Sequence, residues 1–239
     1  LANIREVDAV LQVVRCFEDE NITHVDGSID PLRDAETIET ELMLADLESL
    51  EKRVTPLTKK SRGNDKDAIQ QLALVERALE LLQEGKPARM LDVSNEDAKA
   101  FKGLQLLRSK PILYVCNVEE DSAATGNELT KKVAAMAADQ GAETVVISAR
   151  IEEEVAQLDD ADEKAEFLET LGLEETGLAQ VIRAGYSLLG LITFFTAGPQ
   201  EVRAWTITDG EKAPQAAGTI HGDFERGFIC AETIAYDDF

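Results

Sequence analysis

Pro111-Ile112-Leu113-Tyr114-Val115-Cys116 is a short apolar run that gives way at once to Asn117-Val118-Glu119-Glu120. A run of this length without alternation, bounded by polar residues, predicts a strand buried on both faces, which belongs in a parallel sheet. Downstream, Leu129 to Ala138 predicts a helix and Thr144 to Ile147 a second buried strand, followed by Ser148-Ala149-Arg150. Strand, helix and strand in that order imply a right-handed crossover in an open α/β sheet. Upstream, Val10 to Phe17 predicts another short buried strand, with a polar loop from Glu18 to Asn21.

Between these strands lies the clearest periodicity of the chain. Met43, Leu47, Leu50, Val54 and Leu57 are spaced four, three, four, three, and Ala68, Leu72, Val75, Leu79 and Leu82 repeat that spacing. Two heptad seams flanking Lys59-Lys60-Ser61-Arg62-Gly63-Asn64 predict an antiparallel helical hairpin, with Gly63-Asn64 as its turn. Asp30-Pro31 marks a turn before it, and Asp34 is an N-cap or first-turn acid. Pro56 should kink the first helix near its end, and Gly85 and Pro87 stop the second. Ser94 with Asp97 predicts the start of a third helix. Ile151 to Leu171 reads as a strongly acidic helical region. Beyond Leu191, Val202, Trp205 and Ile207, then Gly210, Pro214, Gly218, Gly222 and Gly227, predict short strands and turns of a second, β-rich unit.

Composition bounds what these elements can do. The 239 residues suffice for one large domain or two to three small ones, and at 44% hydrophobic they can build a sizeable core. With 47 acidic and 24 basic side chains the net charge is −23, which repels nucleic acid at long range, so an RNA contact requires a local basic patch. Cys16, Cys116 and Cys230 form no Cys-x-x-Cys pair, and His24 and His221 are the only histidines. That pattern argues against a zinc cluster and for three buried thiols in a reducing compartment. The longest apolar stretch, Tyr186 to Phe195, is too short to span a bilayer, no secretory signal opens the sequence, and a cytoplasmic location is expected. The sequence starts at Leu1 and closes on Asp237-Asp238-Phe239 without a cap, so both ends are expected to lie inside a longer fold.

In an α/β sheet ligands sit at the carboxyl ends of strands, which places Asn117 to touch one. GTP-binding proteins carry Asn-Lys-x-Asp there, with the Asp pairing to two guanine donors. Glu120 stands at the Asp position and is one methylene longer, which disturbs that geometry, and adenine lacks the exocyclic amine that helps make the bidentate contact. A hydrogen bond to a charged group is worth roughly 1.5–3 kcal/mol, so losing one changes base choice by about tenfold or more. Taken alone, these four residues read more plainly as a polar loop with Asn as a turn former. Ser148-Ala149-Arg150, one crossover later, stands where GTPase-like folds close a backbone over the base.

Six stretches carry a family resemblance: Asn3-Ile4-Arg5-Glu6, Val14-Arg15-Cys16-Phe17-Glu18, Ile22-Thr23-His24-Val25, Asn117-Val118-Glu119-Glu120-Asp121, Val181-Ile182-Arg183-Ala184-Gly185-Tyr186 and Phe195-Thr196-Ala197-Gly198. More specific still are Glu201-Val202-Arg203-Ala204-Trp205-Thr206, Pro214-Gln215-Ala216-Ala217-Gly218 and Ile220-His221-Gly222-Asp223-Phe224-Glu225-Arg226-Gly227-Phe228-Ile229. In this order, over essentially the whole chain, they resemble the YchF family of Obg-like ATPases.

The resemblance implies an α/β fold: a partial GTPase-like parallel-sheet domain, interrupted by an α-helical coiled-coil hairpin and followed by a partial β-grasp TGS domain. The implied boundaries are residues 1–31 and 109–190 for the GTPase-like domain, 32–108 for the hairpin insertion and 191–239 for the TGS domain. It implies a ribosome-associated P-loop NTPase that hydrolyses ATP with Mg2+ and prefers ATP to GTP through Asn117 and Glu120. Val118 would approach adenine through its backbone, and Glu119, Ser148, Ala149 and Arg150 would complete the base site. The implied partner is the ribosome or its large subunit, with no membrane and no DNA, and a monomer is expected. The family's phosphate loop, its magnesium-contacting switch and its Asp-x-x-Gly segment are expected upstream of Leu1, and its last TGS strands beyond Phe239. Catalytic residues and metal ligands are therefore expected outside this sequence, which contains no Gly-x-x-x-x-Gly-Lys-Ser/Thr.

The alternative is a non-enzymatic ribosome or RNA interaction module made of the hairpin and the TGS part, and a third reading is an acidic helical scaffold. Lys52, Arg53, Lys59, Lys60, Arg62 and Lys66 gather at the hairpin tip. Lys59, Lys60, Arg62 and Lys66 are the candidate RNA contacts, weighed against a solvated helix end that favours cations. His24 and His221 sit in no triad or metal spacing and read as structural, hydrogen-bonded side chains. Glu152-Glu153-Glu154 and Asp159 to Glu166 read as a solvated helix face rather than a metal site. Trp205 reads as a strand-buried core residue ahead of a stacking platform for a base.

Overall fold

Three parallel strands, β1 (Val10–Arg15), β2 (Ile112–Asn117) and β3 (Glu143–Ile147), lie side by side in the order β1-β2-β3. The computed structural model describes residues 2–23 and 27–238, and the chain divides into two units between Gly185 and Tyr186. Register aligns Arg15 with Asn117 and Asn117 with Ile147, so the three strands end together. Ile112 to Cys116 of β2 are buried, as the unbroken apolar run predicts. β1 differs from expectation. It ends at Arg15 rather than Phe17, and only one face is covered: Val14 is buried while Leu11 and Val13 are 51% and 67% exposed. It lies at the edge of the described sheet, and no described element covers that face. β3 is half-buried rather than buried.

The helices of this unit are α1 (Ala2–Glu6), α2 (Pro31–Ser61), α3 (Lys66–Gln83), α4 (Ala98–Lys102), α5 (Glu128–Asp139), α6 (Ala149–Ala156), α7 (Ala161–Thr170) and, as far as Gly185, α8 (Gly177–Leu188). The sheet packs Val14, Cys16, Tyr114 and Cys116 with Val133, Ala137, Ile151 and Val155 of the flanking helices. The acidic stretch expected as one helical region is two helices, broken where the Asp160 carboxylate accepts from the N–H groups of Asp162 and Glu163 at 2.8 and 3.2 Å.

α2 and α3 form the hairpin. Asp30 caps α2 by accepting from the Arg33 N–H at 3.2 Å, and Asp34 is the first-turn acid. The helix continues past Pro56 to Ser61. Asn64 makes the turn with φ +58°, a left-handed conformation that Asn tolerates. Leu50, Ala68, Val75 and Leu82 of the predicted seams are buried, joined by Leu74 and Ala78, which the heptad count omits.

A buried polar network roots the hairpin. Asp46, fully buried on α2, accepts from the N–H groups of Leu107 and Arg108, both at 2.8 Å. Burial pushes its carboxyl up despite those donors. Glu39 lies 2.5 Å from Arg108, and both side chains are buried. The Tyr114 hydroxyl on β2 sits 3.5 Å from Glu39 and from Gln140, and Arg89 donates to Gln140 at 2.8 Å. Burial, reinforced by the Glu39 charge, pushes Tyr114 up to about 12.

The second unit contains the antiparallel pair β4 (Leu191–Ala197) and β5 (Val202–Thr208), then α9 (Ala213–Ile220) and α10 (Gly222–Arg226). After Gly210 the glycines and Pro214 predict strands and turns, and the described structure has two helices instead. Pro214 sits in the first turn of α9, where its missing N–H leaves no bond unmade. His221 is structural, its Nδ1 accepting from the Asp223 N–H at 3.2 Å to cap α10. The expectation for His24 lies outside the described residues. Trp205 is half-buried on β5, its Nε1 donating to Thr196 at 2.9 Å and its ring carrying the Arg203 guanidinium at 4.2 Å. The cysteine pattern predicts three buried thiols, but only Cys16 and Cys116 are buried; Cys230 is exposed in the irregular segment after α10. Among the described residues no helix is long and apolar enough to cross a membrane.

Candidate nucleotide-base site

Because the strands end in register, the loops that follow them meet. The Cys16 N–H donates to the Asn117 carbonyl at 2.8 Å, and the Val118 N–H donates to the Ile147 carbonyl at 2.9 Å. Asn117 adds a side-chain tie: its Oδ1 accepts from the Ala149 N–H at 2.9 Å. The two motifs singled out in the sequence are thus joined directly. An amide in this role has its oxygen engaged and retains two N–H donors for a ligand.

Glu120 and Arg150 close the same corner. Arg150 Nε lies 2.6 Å from Glu120 Oε1 and 3.9 Å from Glu154 Oε1. The Arg150 side chain is 75% exposed, so the pair is solvated and contributes at most about 1 kcal/mol to stability. Beside it, Ser148 is buried and its Oγ has no hydrogen-bond partner among the described residues. It precedes α6 but makes no side-chain cap bond.

Glu119 is engaged differently from its neighbours. It accepts from Ser122 Oγ at 2.5 Å and lies 3.4 Å from Asn127 Nδ2, and the Ser122 hydroxyl holds its carboxyl below the usual range. Asn127 is a residue that the sequence reading missed. Its Nδ2 donates to the Cys16 carbonyl at 2.7 Å, while its Oδ1 caps α5 through the N–H groups of Leu129 and Thr130, both at 3.0 Å. The Asn127-x-x-Thr130 capping pair was the available signal. Arg15 was also missed. Its guanidinium donates to the carbonyls of Phe17, Asp19 and Ile22 at 2.9–3.2 Å, gathering the loop that follows β1. Nothing local in the sequence announces that clamp.

Glu152, read only as part of an acidic face, caps α8. Its carboxylate accepts from the Gly177 and Leu178 N–H groups at 2.6 and 3.0 Å. A cleft of about 470 Å³ lies on the hairpin side, lined by Arg53, Asp67, Gln70, Glu96, Lys99 and Leu104, and does not include Asn117. Lys59, Lys60, Arg62 and Lys66 are all exposed around the Asn64 turn, at the far end of the hairpin. Among the described residues no group of three or more His, Cys, Asp or Glu could hold a metal ion, so no magnesium ligand is assigned.

Comparison with known proteins bears on these features. A family model described as "YchF-GTPase_C: Protein of unknown function (DUF933)" matches residues 191–239. The chain is 53% identical over 240 residues to the ribosome-binding ATPase YchF of Bacillus subtilis (strain 168), and 50% identical over 239 residues to that of Escherichia coli O157:H7. Each match covers 100% of this chain and 65% of the relative. Obg-like ATPase 1 of Oryza sativa subsp. indica is 40% identical over 241 residues, 61% of its length. A solved structure of the Schizosaccharomyces pombe YchF GTPase matches with a TM-score of 0.84 and 37% identity, over 95% of this chain and 62% of that one. The chain therefore spans slightly less than two thirds of the length of these relatives.

Proposed function

Since the chain belongs to the YchF family of Obg-like ATPases and has the matching fold, we propose that it supplies the base-recognition part of a ribosome-associated ATPase. The observation that carries this reading is the Asn117–Ala149 bond, with Glu120 and Arg150 at the same corner. Asn117 retains amide donors for a ring nitrogen, and Glu120 offers an acceptor. Guanine presents a carbonyl where adenine presents an amine, and the Ala149 N–H that could meet a carbonyl is already engaged by Asn117. This arrangement favours ATP over GTP.

Val118 has its N–H tied to Ile147, so its carbonyl is the backbone group left to meet adenine. Ser148 completes the floor of the site. Phosphate contacts and Mg2+ are assigned to no residue of this sequence, and no step is derived through them. We also propose the ribosome as partner, with Lys59, Lys60, Arg62 and Lys66 contacting RNA backbone, and a cytoplasmic location. Exposure of all four cations on a chain of net charge −23 supports that contact. The proposed division is 1–31 and 109–190 for the nucleotide domain, 32–108 for the hairpin insertion and 191–239 for the TGS part.

The relatives' names differ on the nucleotide, ATPase for the bacterial proteins and GTPase for the yeast one, so base choice is the decisive measurement. Displacement of a fluorescent nucleotide from the intact protein by ATP or GTP should favour ATP by about tenfold or more. Tighter binding of GTP would reject the reading.

A further inference from the structure

Tyr114 places a hydroxyl in the otherwise apolar, buried stretch of β2. That hydroxyl stands 3.5 Å from Glu39 Oε1 on α2 and 3.5 Å from Gln140 Oε1, just after α5. A phenol has one proton to donate. A closed O–H···O bond is about 2.7–2.8 Å long. The hydroxyl therefore has two acceptors within reach, neither bond is closed, and its proton can close only one. Arg89 donates to the same Gln140 oxygen at 2.8 Å. A guanidinium only donates, so Arg89 fixes the amide with its oxygen in the network. A buried hydroxyl without a bond is costly, which favours either closed position over the midpoint between them.

The two acceptors belong to different sides of the hairpin root. Glu39 is on α2 and is paired with Arg108 at 2.5 Å. Gln140 is held by Arg89, in the short turn of helix that follows α3. We propose that the Tyr114 proton is a two-position latch of the hairpin. Donated to Glu39, it draws α2 onto β2. Donated to Gln140, it releases α2 and ties β2 to the α3 side. Asp46, with its two backbone donors, holds α2 in both positions. Tyr114 lies three residues before Asn117 on the same strand. Where the latch rests on the base-recognition reading is in its link to ATP: a nucleotide at Asn117 and the set of the hairpin bias the same proton, so each shifts the other.

The test reads the hydroxyl by NMR, with carbon-13 at the Cζ position of tyrosine in the full chain. The sequence has three tyrosines, and Tyr114→Phe assigns the resonance of interest. Gln140→Met leaves Glu39 as acceptor. Glu39→Met combined with Arg108→Met leaves Gln140, and replaces the ion pair whole so that no buried charge is stranded. Side-chain motion on this scale is fast, so the wild-type resonance should be an average lying between those of the two variants. Glu39→Gln, which keeps the shape and weakens the acceptor, should move the line away from its Gln140→Met position. Opposite displacements in Gln140→Met and Glu39→Gln decide the matter even if the double variant does not fold. Saturating ATP should move the wild-type line toward one variant, and by more than it moves the line of Gln140→Met. A wild-type line that coincides with that of Gln140→Met or of the double variant, or displacements of the same sign, would overturn the latch. ATP that binds without moving the wild-type line would overturn its link to Asn117. Failure to bind ATP would instead overturn the base-recognition reading, with the latch still decided by the variants.

Discussion

Asn117 Oδ1 takes its hydrogen bond from the Ala149 N–H across a whole strand–helix–strand crossover, so one side chain at the end of β2 fixes where α6 begins. Asn117→Ala removes that acceptor and should lower stability by about 1 kcal/mol, read as a lower urea midpoint with an unchanged slope. It should also weaken ATP binding by about tenfold. Asn117→Asp keeps an acceptor for Ala149 but has no amide donors. Its stability should stay near wild type while ATP affinity falls. Full ATP affinity in the Asp variant would show that the amide donors do not touch the base.

Gly177 is packed tightly against β3. A Cβ at that position would lie 2.7 Å from Ile147 Cγ2 and 3.0 Å from the Glu152 oxygen that caps α8. Gly177→Ala should destabilise the protein by about 1–3 kcal/mol, as overpacking of a close contact does. In calorimetry that is a fall in Tm of about 2–4 °C per kcal/mol for a chain of this size. Ile147 immediately precedes Ser148-Ala149, so ATP affinity should drop as well. An unchanged Tm would mean that α8 shifts freely away from β3.

Tyr114 makes a pH prediction. Its folded-state value, about 12, lies above the ordinary 10, so the folded state favours the neutral phenol. That advantage is complete below pH 10 and is lost as pH rises through 12. Between those limits wild type should lose about 2–3 kcal/mol more stability than Tyr114→Phe, because each pH unit between the two values corresponds to about 1.36 kcal/mol. Urea unfolding of both proteins from pH 9 to 12 measures the difference. Parallel pH profiles would mean that the phenol is not held neutral by its surroundings.

At the hairpin tip, reversing charge at Lys59, Lys60 and Arg62 together should weaken ribosome binding. It should also flatten the plot of log affinity against log salt by about 0.7–0.9 for each phosphate that the tip no longer neutralises. Unfolding should move by no more than about 0.5 kcal/mol, because these side chains are exposed. Unchanged affinity and unchanged salt slope would remove RNA contact from the tip's role.

What could be read in the sequence, and what could not, follows from the range of each interaction. β2 was legible because burial on both faces leaves an unbroken apolar run. The hairpin was legible because heptads, Asp30-Pro31 and Gly63-Asn64 are local signals. The place of Asn117 at the carboxyl end of β2 was legible because the apolar run breaks there into polar residues. The uncovered face of β1 was not, because Leu11 and Val13 look like core residues and only neighbouring elements decide whether they are covered. α9 and α10 were hidden by glycines and Pro214, whose usual meaning as turn formers is overridden once Pro falls in a first helical turn. Glu152 and Asp46 act on backbone donors 25 and 61 residues away. No local pattern marks such acids among 47.

The anchoring of α2 at Asp46 gives the hairpin the proportions of a lever. Glu39, in touch with Tyr114 on β2, lies seven residues to one side of that fulcrum, about 10 Å along the helix, and Ser61 lies fifteen to the other, about 22 Å. A tilt about Asp46 therefore moves the cationic tip about twice as far as it moves Glu39, and in the opposite direction. The strand that ends at Asn117 meets the short arm, and the arm that carries the exposed tip is the long one.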